Sequence, residues 1–334
     1  MFIRNHIRYY LSLMLLAIIS GYQATDAQQL PQYSQYMMNK FLINPAVAGS
    51  EGYTAFNITA REQWIGMKNS PRTYAISAQT RVLKNSFIKR GASIKKKRSA
   101  ASRSGKVGIG GYIFNDQSGL VNRTGIKLTY SYHIAFQRGQ LSFGLTASGY
   151  QFRIDKEQIR VYSQNDNLIN NYSNRMFIPD ADFGVYYSDP KLYVGLSASQ
   201  LFGAALKFGQ ANYDNFKLLR HYFLIGGYNF SISDYLILEP SILLKTSELW
   251  NPQMDLSAKA YIYDDYWAGM SYRTGAQAGA LIFMGGLRVD KFFFGYAFDY
   301  TLSSIMRHSF GSHEFMIAMK LGDSARRYKW LIRY

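Results

Sequence analysis

The chain has 334 residues, a formal net charge of +17, no cysteine, and a surplus of Tyr (28), Phe (22) and Gly (28). The lack of cysteine excludes a disulfide scaffold, a zinc–thiolate site and a catalytic thiol. Aromatic and glycine richness with little proline favours a large β-protein, and the basic balance points to nucleic acid, an anionic membrane surface or an acidic partner.

Residues 1–27 read as a cleaved export signal. Arg4 and Arg8 give a positive start, residues 11–19 a short apolar core, and Ala24 to Ala27 the small residues of a cleavage site. That core is about half as long as a membrane-spanning helix requires, and no later stretch approaches the needed length. Residues 28–51 are irregular, with Asn44-Pro45 and Gly49 as breakers. They are expected to form a plug or strap ahead of the first strand.

From residue 52 to 321 the chain alternates with period two. Expected strands are 52–64, 73–82, 105–115, 120–136, 139–153, 178–188, 191–202, 218–230, 234–246, 252–263, 265–273, 278–289, 291–302 and 311–321. In one hairpin Ile126, Leu128, Tyr130, Tyr132 and Ile134 oppose Gly125, Lys127, Thr129, Ser131 and His133, and Leu141, Phe143 and Leu145 continue the apolar face. Connections after even strands are mostly very short, and those after odd strands more often long. An even number of amphipathic strands with this asymmetry predicts an all-β fold: an antiparallel transmembrane outer-membrane β-barrel of about 14 strands. A soluble β-sandwich explains the alternation equally well but not the strand lengths or the loop asymmetry. Lipid demands closure, because every backbone group must pair within the sheet. Inward glycines are expected at Gly108, Gly110, Gly144, Gly184, Gly195, Gly226 and Gly295. Trp64, Tyr74, Tyr187, Tyr222, Tyr235, Trp250 and Trp267 are expected at the two membrane interfaces. Both termini are placed at the short-turn, periplasmic end.

One even-strand connection is long. Residues 83–106 carry Lys84, Lys89, Arg90, Lys95, Lys96, Lys97, Arg98, Arg103 and Lys106 and no acid, and the tail 322–334 adds Arg326, Arg327, Lys329 and Arg333. These are a solvated charge run or a docking surface for an acidic periplasmic partner. Nucleic acid is disfavoured, since the run has no interleaved aromatic platform. Loop 155–177, with Tyr162, Asn165 and Tyr172, offers a polar-aromatic contact surface at the opposite end.

No hydrolase, zincin or nucleotide-binding motif is present. His308 and His313 with Ser312 and Glu314 form only a weak hydrolase constellation. Asp180/Asp182 and Asp264/Asp265 read as turn acids, and no metal or cofactor site is expected.

The ordered set Gln32-Tyr33-Ser34-Gln35-Tyr36-Met37, Asn44-Pro45-Ala46, Ala48-Gly49, Arg61-Glu62-Gln63-Trp64, Pro71-Arg72-Thr73, Gly108-Ile109-Gly110-Gly111-Tyr112, Asn115-Asp116-Gln117-Ser118-Gly119 and Ser312-His313-Glu314-Phe315 resembles the type IX secretion system membrane protein family PorP/SprF. The resemblance implies a non-enzymatic outer-membrane barrel of a Gram-negative bacterium. Its partners would be the secretion machinery in the periplasm and outer membrane, and a surface adhesin, including gliding adhesins, bearing a C-terminal sorting domain. Asn44, Pro45, Gly49, Arg61, Gln63 and Trp64 are read as structural positions of the plug. An outer-membrane channel for a small or hydrophobic solute is the alternative function.

Overall fold

The computed structural model describes residues 30–82, 106–136, 139–154, 175–203, 205–206, 216–263, 265–275 and 279–321. Its strands are β1 (Thr54–Glu62), β2 (Arg72–Val82), β3 (Val107–Ser118), β4 (Val121–Ala135), β5 (Gln140–Ile154), β6 (Arg175–Ser188), β7 (Leu192–Ser199), β8 (His221–Tyr228, resuming as Phe230–Ser233), β9 (Leu236–Ser247), β10 (Gln253–Ile262), β11 (Tyr266–Gly275), β12 (Ala280–Val289), β13 (Phe292–Thr301) and β14 (Ser312–Leu321). Each pairs antiparallel with its sequence neighbours. β1 closes on β14, with Thr54 opposite Leu321 and Glu62 opposite His313. The sheet's fifteen segments make fourteen strands, because the two halves of β8 both pair with β9 and are one strand interrupted at Asn229. The fold is therefore a closed 14-stranded antiparallel barrel, as expected. A two-residue ribbon, Ala205–Leu206 with Phe216–Lys217, lies outside the barrel sheet.

The alternation reads inside out relative to a water-soluble protein. Ile126, Leu128, Tyr130, Tyr132 and Ile134 of β4 are exposed, whereas Thr129, Ser131 and His133 between them are buried. β13 repeats the pattern, with Phe292, Phe294, Tyr296 and Tyr300 outward and Phe293, Ala297, Asp299 and Thr301 inward. An apolar exterior around a polar interior is stable only where the outer solvent is hydrocarbon. Strands of about ten residues, tilted, match a bilayer core.

One end of the barrel carries the tight connections, such as Asp234–Tyr235 between β8 and β9 and Asp290–Lys291 between β12 and β13. The other end carries the longer ones, 63–71, 155–174, 200–220 and 302–311. We call these the turn end and the loop end. The turn between β3 and β4 is the shortest connection at the loop end, where 248–252 and 276–279 are also short. It has two residues, and Gly119 adopts φ +59 there, which a glycine accepts without strain.

Three expectations fail. Trp267 is 4 % exposed and faces the lumen, because its position in β11 has inward parity two residues before Gly269. Gly227, beside the Tyr193 ring, is the inward glycine of β8; Gly226 has only Ile242 and a strand carbonyl near it and takes the outward parity. Asp180 and Asp182 are buried inside β6, whose first residue is Arg175, and are not turn acids.

Candidate functional site in the barrel lumen

The stretch before β1 lies against the inward faces of strands all around the barrel. It begins at the loop end, where the Leu30 carbonyl accepts from Lys245 Nζ at 3.2 Å, near the end of β9. Gln32 follows, bonded to Gln253 and Gln63. The backbone N–H groups of Ser34 and Gln35 donate to the two carboxylate oxygens of Glu314 at 2.7 and 2.9 Å. Tyr36 reaches Ser241 and Ser257 on the opposite wall. Asn39 donates to Ser77, and Phe41 packs edge-on against Tyr112. A short 3-10 turn, Lys40–Leu42, is followed by a second at Pro45–Val47, capped by Asn44, whose side chain accepts from Ala46 N–H. The Asn44 amide donates to the carbonyls of Val185 and Leu196. Ser131 then donates to the Ala48 carbonyl, and Gly49 N–H donates to Gln79. Arg81 and Gln140 donate to the Ser50 carbonyl at the turn end.

The segment thus runs from the loop end to the turn end before β1 turns back. Leu30 stands at the end opposite Leu321; the chain ends themselves, which the sequence places together at the turn end, lie outside the described residues. The path requires glycines on the walls. A Cβ at Gly144 would strike the backbone of Pro45 and Ala46, and one at Gly184 would strike the Asn44 side chain. The segment also supplies the apolar side chains that the inward faces lack. Tyr36, Met37, Phe41, Ile43, Ala46, Val47 and Ala48 cluster with Tyr186, Tyr193, Ile225, Leu243, Trp267 and Ile282.

Many charges on the inward faces are buried and paired. Arg61 contacts Asp299 at 2.7 Å and Glu314 at 3.5 Å, and Arg273 contacts Asp255 at 2.8 Å and Asp299 at 3.2 Å. Ser34 Oγ lies 2.7 Å from Asp299 and accepts from Arg61 at 2.7 Å, which ties the N-terminal segment to this network. A second group joins Lys259 to Glu239 at 3.1 Å, with Tyr193 donating to Glu239 at 2.9 Å and Lys259 lying over the Tyr261 ring. A third pairs Lys127 with Asp182 at 2.6 Å and Arg123 with Asp116. Charges removed from water persist when each has such partners, and a guanidinium fork between two carboxylates satisfies several donors at once.

The positions expected to be structural in and after the N-terminal stretch lie as follows. Asn44 and Pro45 form the second 3-10 turn, and Gly49 takes φ +67 against the β2 backbone. Arg61 joins Ser34 to Asp299, and Gln63 bonds Gln32. Trp64 is half-buried at the loop end, its backbone N–H donating to Ser312 Oγ. Lys89, Arg90, Lys95, Lys96, Lys97 and Arg98, and Tyr162, Asn165 and Tyr172, lie outside the described residues. His313 and Glu314 point to opposite faces: His313 bonds Tyr296 on the exterior, whereas Glu314 holds the N-terminal segment within. That separation breaks the His/Glu pairing considered for a hydrolase. Asp255, Lys259 and Arg273 carry the ion network and were not singled out in the sequence. Their signal is charge at inward parity in strands whose outward parity is apolar.

The barrel is similar to solved outer-membrane proteins. The toluene transporter TbuX of Ralstonia pickettii matches at 12 % identity over 84 % of this chain and 92 % of that one, with a TM-score of 0.47. The Acinetobacter baumannii outer membrane protein Omp33 matches at 4 % identity over 80 % and 98 %, with a TM-score of 0.43. A mutant of TodX, a monoaromatic hydrocarbon channel, matches at 10 % identity over 84 % and 92 %, with a TM-score of 0.41. No curated protein matches the chain in sequence. The family model of the type IX secretion system membrane protein PorP/SprF matches residues 25–319, most of the chain, and with the closed apolar-faced barrel this places the protein in the PorP/SprF family.

Proposed function

We propose that the protein serves type IX secretion as a non-enzymatic outer-membrane barrel that holds or presents an exported surface protein, such as a gliding adhesin with a C-terminal sorting domain. The N-terminal segment acts as the plug of the barrel, so the protein works as a docking scaffold rather than as an open pore. The observation that carries this reading is the course of residues 30–50, hydrogen-bonded to opposite walls of the barrel in a chain of the secretion family. The loop end, with residues 155–174 and 200–220, is the face for the exported partner. The turn end leads into the basic residues 83–106 and the tail, which are suited to acidic parts of the periplasmic machinery. Residues 1–27 direct export and are removed.

The test is deletion of the gene, followed by quantification at the cell surface of a surface protein encoded beside it. The reading predicts that display is lost and is restored by the wild-type gene. Unchanged display and unchanged gliding would overturn it.

A further inference from the structure

A cavity of about 70 Å³ lies in the loop-end half of the lumen, roofed by Leu30 to Tyr33 and walled by Phe114, Phe223 and Leu243. Four cations border it, and three are neutralised: Arg123 by Asp116, Lys127 by Asp182, and Arg273 by Asp255 and Asp299. The fourth, Lys245, pairs with no carboxylate among the described residues. Among those residues its hydrogen bond is to the Leu30 carbonyl, at 3.2 Å. An ammonium carries three donors, and a charge withdrawn from water without a counter-ion is costly. Also bordering the cavity is Asp180, 3 % exposed, whose Oδ1 accepts from Ala181 and Phe202 N–H while Oδ2 has no partner. Lys245, with no carboxylate in contact among the described residues, and the unpartnered Asp180 Oδ2 therefore border the same cavity.

We propose that this cavity binds a small amphipathic carboxylate, anchored by Lys245, with its apolar stem against Phe223 and Leu243 and a hydroxyl or amino group directed toward Asp180. A phosphate or sulfate fits less well. Such dianions favour the bidentate fork of arginine, and both forks here are engaged by aspartates. Size limits the stem: an apolar cavity that holds benzene measures about 150 Å³, roughly twice this one. A longer ligand must displace the roof, whose hydrogen bonds at Leu30 and Gln32 are part-buried. Leu30 and Gln32 are held by part-buried contacts, whereas Ser34 and Gln35 next to them are held by the buried carboxylates of Asp299 and Glu314. The ligand carboxylate would take the place of the Leu30 carbonyl on Lys245 and loosen residues 30–33, leaving the chain from Ser34 onward in place.

The experiment is calorimetric titration of the full-length protein in a non-ionic detergent with ω-hydroxyhexanoate, hexanediol and inorganic phosphate. Saturable binding of the carboxylate is expected, about tenfold or more tighter than the diol or phosphate. Lys245→Gln should abolish that preference and Lys245→Arg should retain it, with heat-dependent gel mobility confirming a folded barrel in each. Equal binding of acid and diol, tighter binding of phosphate, an unchanged preference in Lys245→Gln, or no saturable binding would overturn the proposal.

Discussion

Replacing Asp299 by alanine removes the carboxylate shared by two buried guanidinium groups. Asp299 and Arg61 are each 2 % exposed and meet at 2.7 Å, and Arg273 lies 3.2 Å from the same carboxylate. Removing one partner of a buried ion pair costs about 3–5 kcal/mol, because the remaining charge is stranded away from water. Here the cost falls at the lower end, about 3 kcal/mol, since Arg61 retains Glu314 and Arg273 retains Asp255. A local effect accompanies it: Ser34 loses its acceptor, so the N-terminal segment loosens where it crosses the network. The assay is urea unfolding of the protein refolded into lipid vesicles, read by tryptophan fluorescence, with amide exchange at Ser34 and Gln35 measured in parallel. Arg61→Ala combined with Asp299→Ala should be less destabilising than the sum of the single changes by about 1–3 kcal/mol, because the pair leaves together. A loss below about 1 kcal/mol for Asp299→Ala, with unchanged exchange at Ser34, would refute a network that holds the segment.

Three further outcomes follow from the fold. Leu128→Arg places a charge on the lipid face and should cost about 2–4 kcal/mol near the midplane and impair assembly; Thr146→Ala on the inward face loses one hydroxyl pair with Thr129, about 1 kcal/mol, and should assemble normally. Equal tolerance of the two changes, measured by heat-dependent mobility in outer membranes, would return the exterior to water. The unmodified protein should give no steady pore in planar bilayers, whereas Gly144→Val, whose side chain collides with Pro45 and Ala46, should produce conducting events; a steady pore in the unmodified protein would contradict the filled lumen. A peptide tag inserted directly before Leu30 should be labelled from the same membrane side as one in the Gly119–Leu120 turn and from the side opposite one in the Asp290–Lys291 turn. Labelling from the turn side would reverse the assigned path.

The barrel was legible because its signal is local. Period-two alternation over ten or more residues places strands to within a few residues, as β13 (Phe292–Thr301) against the expected 291–302 illustrates. Parity fails where an inward position carries an apolar residue, as at Trp267. That side chain packs in the lumen because the N-terminal segment brings apolar groups there. The lumen network was not legible, because its partners are far apart in sequence: Arg61 and Asp299 are 238 residues apart, and Ser34 and Glu314 are 280 apart. Nor does a segment without periodicity encode its own direction. Its course is written instead in the wall glycines, Gly144 and Gly184, which mark where another backbone passes. Lys127 illustrates how partners alter a reading. By parity it is an inward polar residue, and the structure makes it a buried partner of Asp182.

Under the proposed function this barrel of the PorP/SprF family is a scaffold for an exported partner. The most direct measurement is a mild-detergent affinity capture of the full-length protein from outer membranes, with mass-spectrometric identification and an unrelated barrel as control. Enrichment of type IX machinery together with a surface protein bearing a C-terminal sorting domain is expected. Capture of neither above the control, alongside a steady solute conductance from the purified protein, would contradict it.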